Sequence, residues 1–379
     1  MTTMTLEEFG AYVQQVIERR DLSRGESYRL FRELLLNSQP DLQQGAFLAA
    51  LKAKGETVDE VVGAWQAIDE LDTVHVDGLP ETVLDNSGTG MDSFKTFNAS
   101  SAAALVAAAH GLPVARHGAR AITSRCGAVD IMEAMGINVE CPPAVVARSI
   151  RTAGIGLFNG MSSHVHPGGL GRILSQIRFG TIFNIAASLA NPARPRRAMR
   201  GIYSRVLLEP VSRVMQEIGL HRALVVHGSV DDHGTGIDEL SVCGASSIRY
   251  MDGDSRQCFD IVPEDVDIPR RPAAEIAASP SLEQEALRFL SVVSGAGTFR
   301  GCEDFVALNA GAILWMEGVS PSLSAGVSDA RHALATGAAM DTLRSWCRSQ
   351  CHDDGSGPKR LSLLEEKVTG HAWKRKGGV

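Results

Sequence analysis

Three short stretches of this chain hold residue types that suit an anionic, phosphate-bearing ligand. The first is DNSGTGMDSFKTFNASS, Asp85 to Ser101. Gly88-Thr89-Gly90 follows the apolar pair Val83-Leu84, and an alanine-rich run, ASSAAALVAAAHG, begins after Asn98. That order reads as strand end, tight glycine turn, polar loop and helix start. The N–H groups of such a turn, together with the partial positive charge of a helix N-terminus, favour an anion. Ser100 and Ser101 add hydroxyls and Lys95 a cation. The plainer reading is a capped helix after a loop, because neither common glycine-rich pattern fits. The nucleotide-hydrolase loop needs Gly-Lys-Ser/Thr in register, and the dinucleotide fingerprint needs a third glycine where Ser93 stands.

The second stretch is Arg116-His117-Gly118-Ala119-Arg120, continuing to Thr123, Ser124 and Arg125, directly after the strand-like PVA. Three arginines and two hydroxyls beside a strand end suit an anion, which a guanidinium grips with two parallel hydrogen bonds. A solvated basic loop is the alternative. The third is Gly236 to Ser241, GIDELS, after ALVVHG. Adjacent carboxylates such as Asp238 and Glu239 near a phosphate suit magnesium, which takes carboxylate and phosphate oxygens together; on its own an acidic pair is more often surface. His164, His166, His227 and His233 have neither the spacing of a helical histidine pair nor that of a compact zinc site. His164 and His166 read instead as loop donors at a pocket.

The elements that must carry these stretches follow from periodicity. Residues 5 to 71 read as short helices: Thr5 with Glu8, Ser23 with Glu26 and Thr57 with Glu60 each fit a capping box, and Gly55 fits a C-cap. Apolar residues recur at helical spacing in Phe9, Val13 and Val16, in Leu30 and Leu34, and in Val61, Val62, Trp65 and Ile68. After Leu71 glycine and alanine rise. The spacing predicts strands at Val83-Leu84, Pro113–Ala115, Ile137–Val139, Gly201–Tyr203, Ala223–Val226 and Ser247–Tyr250, with helices between most of them. The alternation predicts an α/β domain with a largely parallel sheet, whose ligands sit at the carboxyl ends of the strands. From His352 the chain is polar and is expected to be a tail, closing with a short helix over RLSLLEEKV and loose at its end.

With 379 residues and 44% hydrophobic content, a core of about two domains is expected. A net charge of −7 argues against general nucleic-acid affinity. No apolar run approaches membrane-spanning length and the N-terminus lacks a secretory pattern, so a cytoplasmic protein is expected. Its 7 cysteines, odd in number and scattered, read as reduced thiols.

Taken together the motifs resemble the anthranilate phosphoribosyltransferase family, over most of the chain to about residue 345. DNSGTGMDSFKTFNASS resembles the family's GTGGD…TxNxS stretch, RHGARAITSRCGAVD its KHGNRxxSSxxGSAD, TIFNIAASLANPA its TxFNxLGPLxNPA, and GIDELS its GxDExS. The resemblance implies a small N-terminal helical bundle (1–75, joined by helices from about 168–192) and a larger α/β domain (76–351), with a ligand cleft between them. A tail (352–379) follows. It implies a homodimer and attack on C1 of 5-phosphoribosyl pyrophosphate, with magnesium-bound pyrophosphate leaving. Carried over, Gly88, Thr89 and Gly90 would wrap pyrophosphate beside Asp92. Asn98, Ser100 and Ser101 would bind phosphate or its metal, Ser124 would touch pyrophosphate, and Asp238 and Glu239 would hold magnesium. Thr96, Arg116, His117, Gly118, Arg120 and His164 complete the implied substrate contacts; Arg116 stands where the family has lysine.

The departures lie on the acceptor side. Where the family uses the Asn of KHGN and an Arg of VRxxLGxRT to hold anthranilate, this chain has Ala119 and, counting back without gaps, Leu174. On a helix Arg178 would share a face with Leu174, and Arg172 would not. The glycine after GTG is Met91. The expectation is a phosphoribosyltransferase for an aromatic or heterocyclic acceptor other than anthranilate. Its alternatives are a non-catalytic ligand- or nucleic-acid-binding paralogue, a nucleoside phosphorylase-like enzyme, and anthranilate transfer in tryptophan biosynthesis by another arrangement.

Overall fold

The computed structural model describes residues 3–120, 126–231 and 235–376, with side chains to Thr369. Four helices open the chain: α1 Leu6–Ile17, α2 Arg24–Leu35, α3 Asp41–Lys54 and α4 Val58–Asp72. All three capping boxes form; Thr5, Ser23 and Thr57 each accept from the N–H three residues on and receive the glutamate in return. Gly55 ends α3 at a φ of 93°, which side chains rarely adopt. The apolar stripes meet in one core where Phe31 packs edge-on against Phe47, with ring centroids 5.6 Å apart. Two later helices, Gly169–Gln176 and Phe183–Leu189, bury Leu170, Ile173 and Phe183 in that same core, and Phe183 stands 5.4 Å from Phe31.

The second core lies around a sheet of eight strands: β1 Leu84–Gly88, β2 Val114–Gly118, β3 Ile155–Asn159, β4 Arg197–Gly201, β5 Arg222–Ser229, β6 Gly236–Ile237, β7 Ser246–Asp252 and β8 Ser255–Ile261. Their order is β3-β2-β1-β4-β5-β7-β8, with the short β6 paired to β5. The first five run parallel, and β7 and β8 add an antiparallel edge. The alanine-rich helix α5, Ala99–Ala109, is buried along nearly its whole length beneath this sheet, which small side chains permit. No described helix is long and apolar enough to cross a membrane.

Three local expectations are corrected. Ile137–Val139 forms no strand: the segment turns back from a short helix, with the Ile137 N–H on the Met132 carbonyl, and its apolar side chains are buried in the second core. The strand near residue 201 ends there instead of beginning there. The C-terminal segment is a 21-residue helix, Ser356–Lys376, whose Leu361 is buried and whose Gly357 lies backbone to backbone against Gly136. Just before it, Gln350 caps the outer strand β3. Its side chain accepts from the Leu157 N–H at 3.1 Å and donates to the Leu157 carbonyl at 3.0 Å.

Candidate active site

A cleft of about 520 Å³ runs between the carboxyl ends of β1 and β2 and the helical core. The acidic loop reaches it because two strand ends are glycine. A Cβ on Gly88 would strike the Asp238 carboxylate, and one on Gly201 would strike the Asp238 carbonyl. Gly88 is thus the last strand residue, fixed by close approach, and of the expected turn only Gly90 needs glycine for its φ of 67°. The Gly90 N–H donates to Asp238 Oδ2 at 2.7 Å, and the Thr89 N–H to the Gly201 carbonyl at 3.1 Å. These donors, expected to face an anion, therefore face the chain's own carboxylate and carbonyl.

Three carboxylates share this corner. Asp92 pairs with Lys95 at 3.2 Å, and Ser100 Oγ donates to Glu239 Oε1 at 3.3 Å. Glu239 Oε2 is buried with no partner among the described residues. Burial first, then the neighbouring Asp238, raises Asp92 to about 6. Burial, Asp238 and Asp92 push Glu239 well above the usual carboxylate range. Such a site gains from a cation in addition to Lys95.

Arg116 lies buried beside them, donating from Nε to the Asn86 carbonyl (3.1 Å) and from Nη1 to Ser101 Oγ (2.5 Å). Burial pulls its guanidinium down to about 10, leaving it charged at neutral pH. Thr96 bridges to Ala277, Asn98 stands at the start of α5 with its amide donating to Cys126 Sγ at 3.8 Å, and Gly118 ends β2; all three line the cleft. Arg120 also lines it, but its guanidinium is taken by Glu133, Glu140 and Asp130. Ser124 and His233 fall outside the described residues. His164 is corrected: it is exposed and off the cleft wall, and His166, two residues on and buried, faces the cleft in its place.

His117 and His166 meet at 3.2 Å between their Nε2 atoms. The Nδ1 of His166 lies 2.6 Å from the Asp72 carbonyl, and that of His117 lies 3.4 Å from the Ser188 carbonyl. Gly160 makes room for the pair, since a Cβ there would press on the His117 ring. Burial, then the neighbouring His166, drives His117 down to about 3.

The helical side of the cleft is mainly apolar, lined by Leu170, Leu174, Ile177, Phe179 and Phe183 with polar Thr181, Asn184 and Ser188 among them; Met91, Ala119 and Met161 also line the cleft. The helix carrying Leu174 ends at Gln176, so Arg178 reaches the cleft from the following loop instead of from a shared helical face. Arg172 points away, bonded to the Leu34 carbonyl at 2.7 Å and Gln44 at 3.0 Å. Sequence reasoning missed Arg200 on β4. It is buried, donates to the Ser188 carbonyl at 2.9 Å and lies 3.5 Å from Asp85. Its Nε and Nη1 find no partner among the described residues. Nothing in its neighbours Met199 and Gly201 marks it; only the fold puts it behind the cleft.

A helical bundle set against a parallel sheet, with a glycine-and-acid corner at the strand ends, defines a two-domain glycosyltransferase. The glycosyl transferase family's helical bundle domain matches residues 11–71 and its a/b domain residues 80–340. The chain belongs to the anthranilate phosphoribosyltransferase family within it. It is 36% identical over 345 residues to the anthranilate phosphoribosyltransferase of Myxococcus xanthus, covering 90% of this chain and 97% of that one. To the enzyme of that name from Methanothermobacter thermautotrophicus it is 32% identical over 343 residues, covering 89% and 97%. The crystal structure of anthranilate phosphoribosyltransferase from Thermus thermophilus superposes with a TM-score of 0.80 at 31% identity, over 89% of this chain and 98% of that one. The Saccharomyces cerevisiae enzyme in complex with PRPP and Mg shares the fold, with a TM-score of 0.80 at 21% identity over 92% and 99%.

Proposed function

We propose that this protein moves 5-phosphoribosyl from its pyrophosphate donor to an aromatic or heterocyclic acceptor other than anthranilate, releasing pyrophosphate. The observation that carries this reading is the asymmetry of the cleft. One wall gathers glycine backbone, hydroxyls, Arg116 and three carboxylates; the other, where an acceptor ring would lie, is mainly apolar and offers Thr181, Asn184, Ser188 and Arg178 as its polar groups. On this reading Gly88, Thr89, Gly90 and Asp92 border the pyrophosphate, and Thr96, Asn98, Ser100 and Ser101 border the phosphates. Arg116 holds Ser101 in place, and His117 and Gly118 lie along the ribosyl path. Arg120, neutralised by its own carboxylates, contributes the wall and not the charge.

The fit for magnesium rests on the orphaned Glu239 Oε2 and on carboxylates whose ionisation is suppressed by burial and by one another. Ser100, Asp238 and Glu239 would hold it. Among the described residues no three His, Cys, Asp or Glu side chains form a cage, which suits an ion that takes its remaining oxygens from phosphate and water. When bound, it neutralises charge on the departing pyrophosphate. The chain's own residues orient the donor and exclude water from the anomeric carbon. We further propose a homodimer through the helical bundle, where Leu6, Ile17, Leu36 and Leu42 are exposed, and a cytoplasmic location.

The test is pyrophosphate release by purified protein with donor, magnesium and a panel of aromatic amines, phenols and azoles. Release with an acceptor other than anthranilate supports the reading. Absence of both release and calorimetric heat with magnesium and millimolar donor ends it. Efficient loss of anthranilate fluorescence would transfer the carboxylate-binding role to Arg178 and refute the acceptor assignment.

A further inference from the structure

Contact distances decide how the two buried histidines carry their protons in the neutral state. The Asp72 carbonyl can only accept, so at 2.6 Å the His166 Nδ1 must carry its proton and donate. His166 Nε2 is then a lone pair. At 3.2 Å from it, His117 Nε2 is assigned as the donor, this contact being shorter than the 3.4 Å from Nδ1 to the Ser188 carbonyl. That leaves His117 Nδ1 bare, 3.4 Å from the Ser188 carbonyl, which is a second acceptor. Two acceptors thus face each other on the cleft wall. Arg200 already donates to the same carbonyl, and with His166 it is the charged or titratable group bearing on His117. Asp72 and His75 bear on His166. What completes the set is a donor on the ligand, or a proton on Nδ1.

Resting on the transferase reading above, we infer that His117 Nδ1 accepts the proton the acceptor loses on transfer, and that His166 is the positioning residue that fixes the tautomer. The acceptor is then an N–H or O–H nucleophile whose hydrogen points between Nδ1 and the Ser188 carbonyl. Its lone pair forms the bond to C1 of the ribosyl group; the bond from C1 to the pyrophosphate oxygen breaks, and its electron pair leaves with pyrophosphate. The nucleophile atom becomes cationic, and its proton passes to Nδ1. Protonated His117 then donates at both nitrogens, to Ser188 and to His166, so the product state satisfies the array that the resting state leaves open. The proton being lost belongs to a cationic centre and is strongly acidic, so a histidine held neutral by burial is basic enough to take it.

Nitrogen-15 NMR of histidine-labelled protein reads the tautomers directly. Expected is a bare Nδ1 and protonated Nε2 on His117, with the reverse on His166; a protonated His117 Nδ1 in the free protein overturns the inference. His117→Asn should lower kcat about a hundredfold or more, a far larger loss than any in magnesium-dependent donor binding followed by calorimetry. His166→Gln, whose amide oxygen still accepts from His117 Nε2, should keep most of the kcat that His166→Leu loses. An active wild type whose His117→Asn variant retains full kcat defeats this inference alone. A wild type that transfers to no acceptor defeats the transferase reading beneath it.

Discussion

The two walls of the cleft are built in opposite ways. On the donor wall the backbone itself is constrained: Gly88 and Gly201 have no room for a Cβ because Asp238 lies against them, and Gly90 bends at a φ of 67°. Its carboxylates are crowded against their own preference to ionise. On the acceptor wall the close approaches, such as Gly180 against Met91, are to side-chain ends instead of to backbone or buried carboxylates. Leu174 is half-buried and Ala119 exposed, and neither is held by a polar bond. Positions locked by backbone contact change only at the expense of the fold, whereas side chains that merely line a surface are exchanged cheaply. A family scaffold can therefore keep its donor chemistry and alter what receives the group.

The comparison breaks most visibly at the acidic corner. Asp238→Asn with Glu239→Gln should abolish magnesium-dependent donor binding and lower turnover by about a hundredfold or more. The melting temperature should hold, because the amide oxygens can still accept from the Gly90 N–H and from Ser100. Loss of folding in a thermal melt would mean the pair is structural. A smaller effect is expected across the cleft. Ala119→Asn with Leu174→Arg restores an amide and a cation, each charge-assisted bond being worth about 1.5–3 kcal/mol. Anthranilate turnover, read by its fluorescence, should rise roughly ten- to hundredfold with donor affinity unchanged. No gain would show that Arg178 or the cleft's shape already governs the acceptor. The smallest effect sharpens the boundary: Arg172→Ala should leave acceptor KM unaltered and cost about 1 kcal/mol of stability. Its guanidinium ties α2 and α3 to the cleft helix; a raised KM would place Arg172 in the site after all.

What was legible in the chain follows the same division. The capping boxes at Thr5, Ser23 and Thr57 are local, three-residue chemistry, and the helices formed where they pointed. β1, β2, β5 and β7 carry short apolar or β-branched runs after turn residues and were readable, with boundaries a few residues off. β3, IGLFN, passed unnoticed because it begins directly at the glycine ending the preceding helix. β8, SRQCFDI, is a largely exposed edge with no alternation to betray it. Ile137–Val139 misled because burial alone can make a loop as apolar as a strand. In the site, the glycine and acidic motifs announced themselves by type and spacing. The histidine pair did not: His117 and His166 are 49 residues apart, and only the approach of β2 to the segment after β3 puts them in contact. Arg200 was illegible for the same reason.

Gln350 has a consequence beyond the cleft. β3 is the last strand on its side of the sheet, and an open strand is a template on which another polypeptide can pair. The Gln350 amide answers the Leu157 N–H and carbonyl as a neighbouring backbone would, and also holds the Asn138 carbonyl and the Trp346 indole. One side chain thus takes the place of a ninth strand. Shortened to alanine, it would leave the buried Leu157 N–H and carbonyl without partners, and the damage would appear less in catalysis than in stability, as a lowered melting temperature.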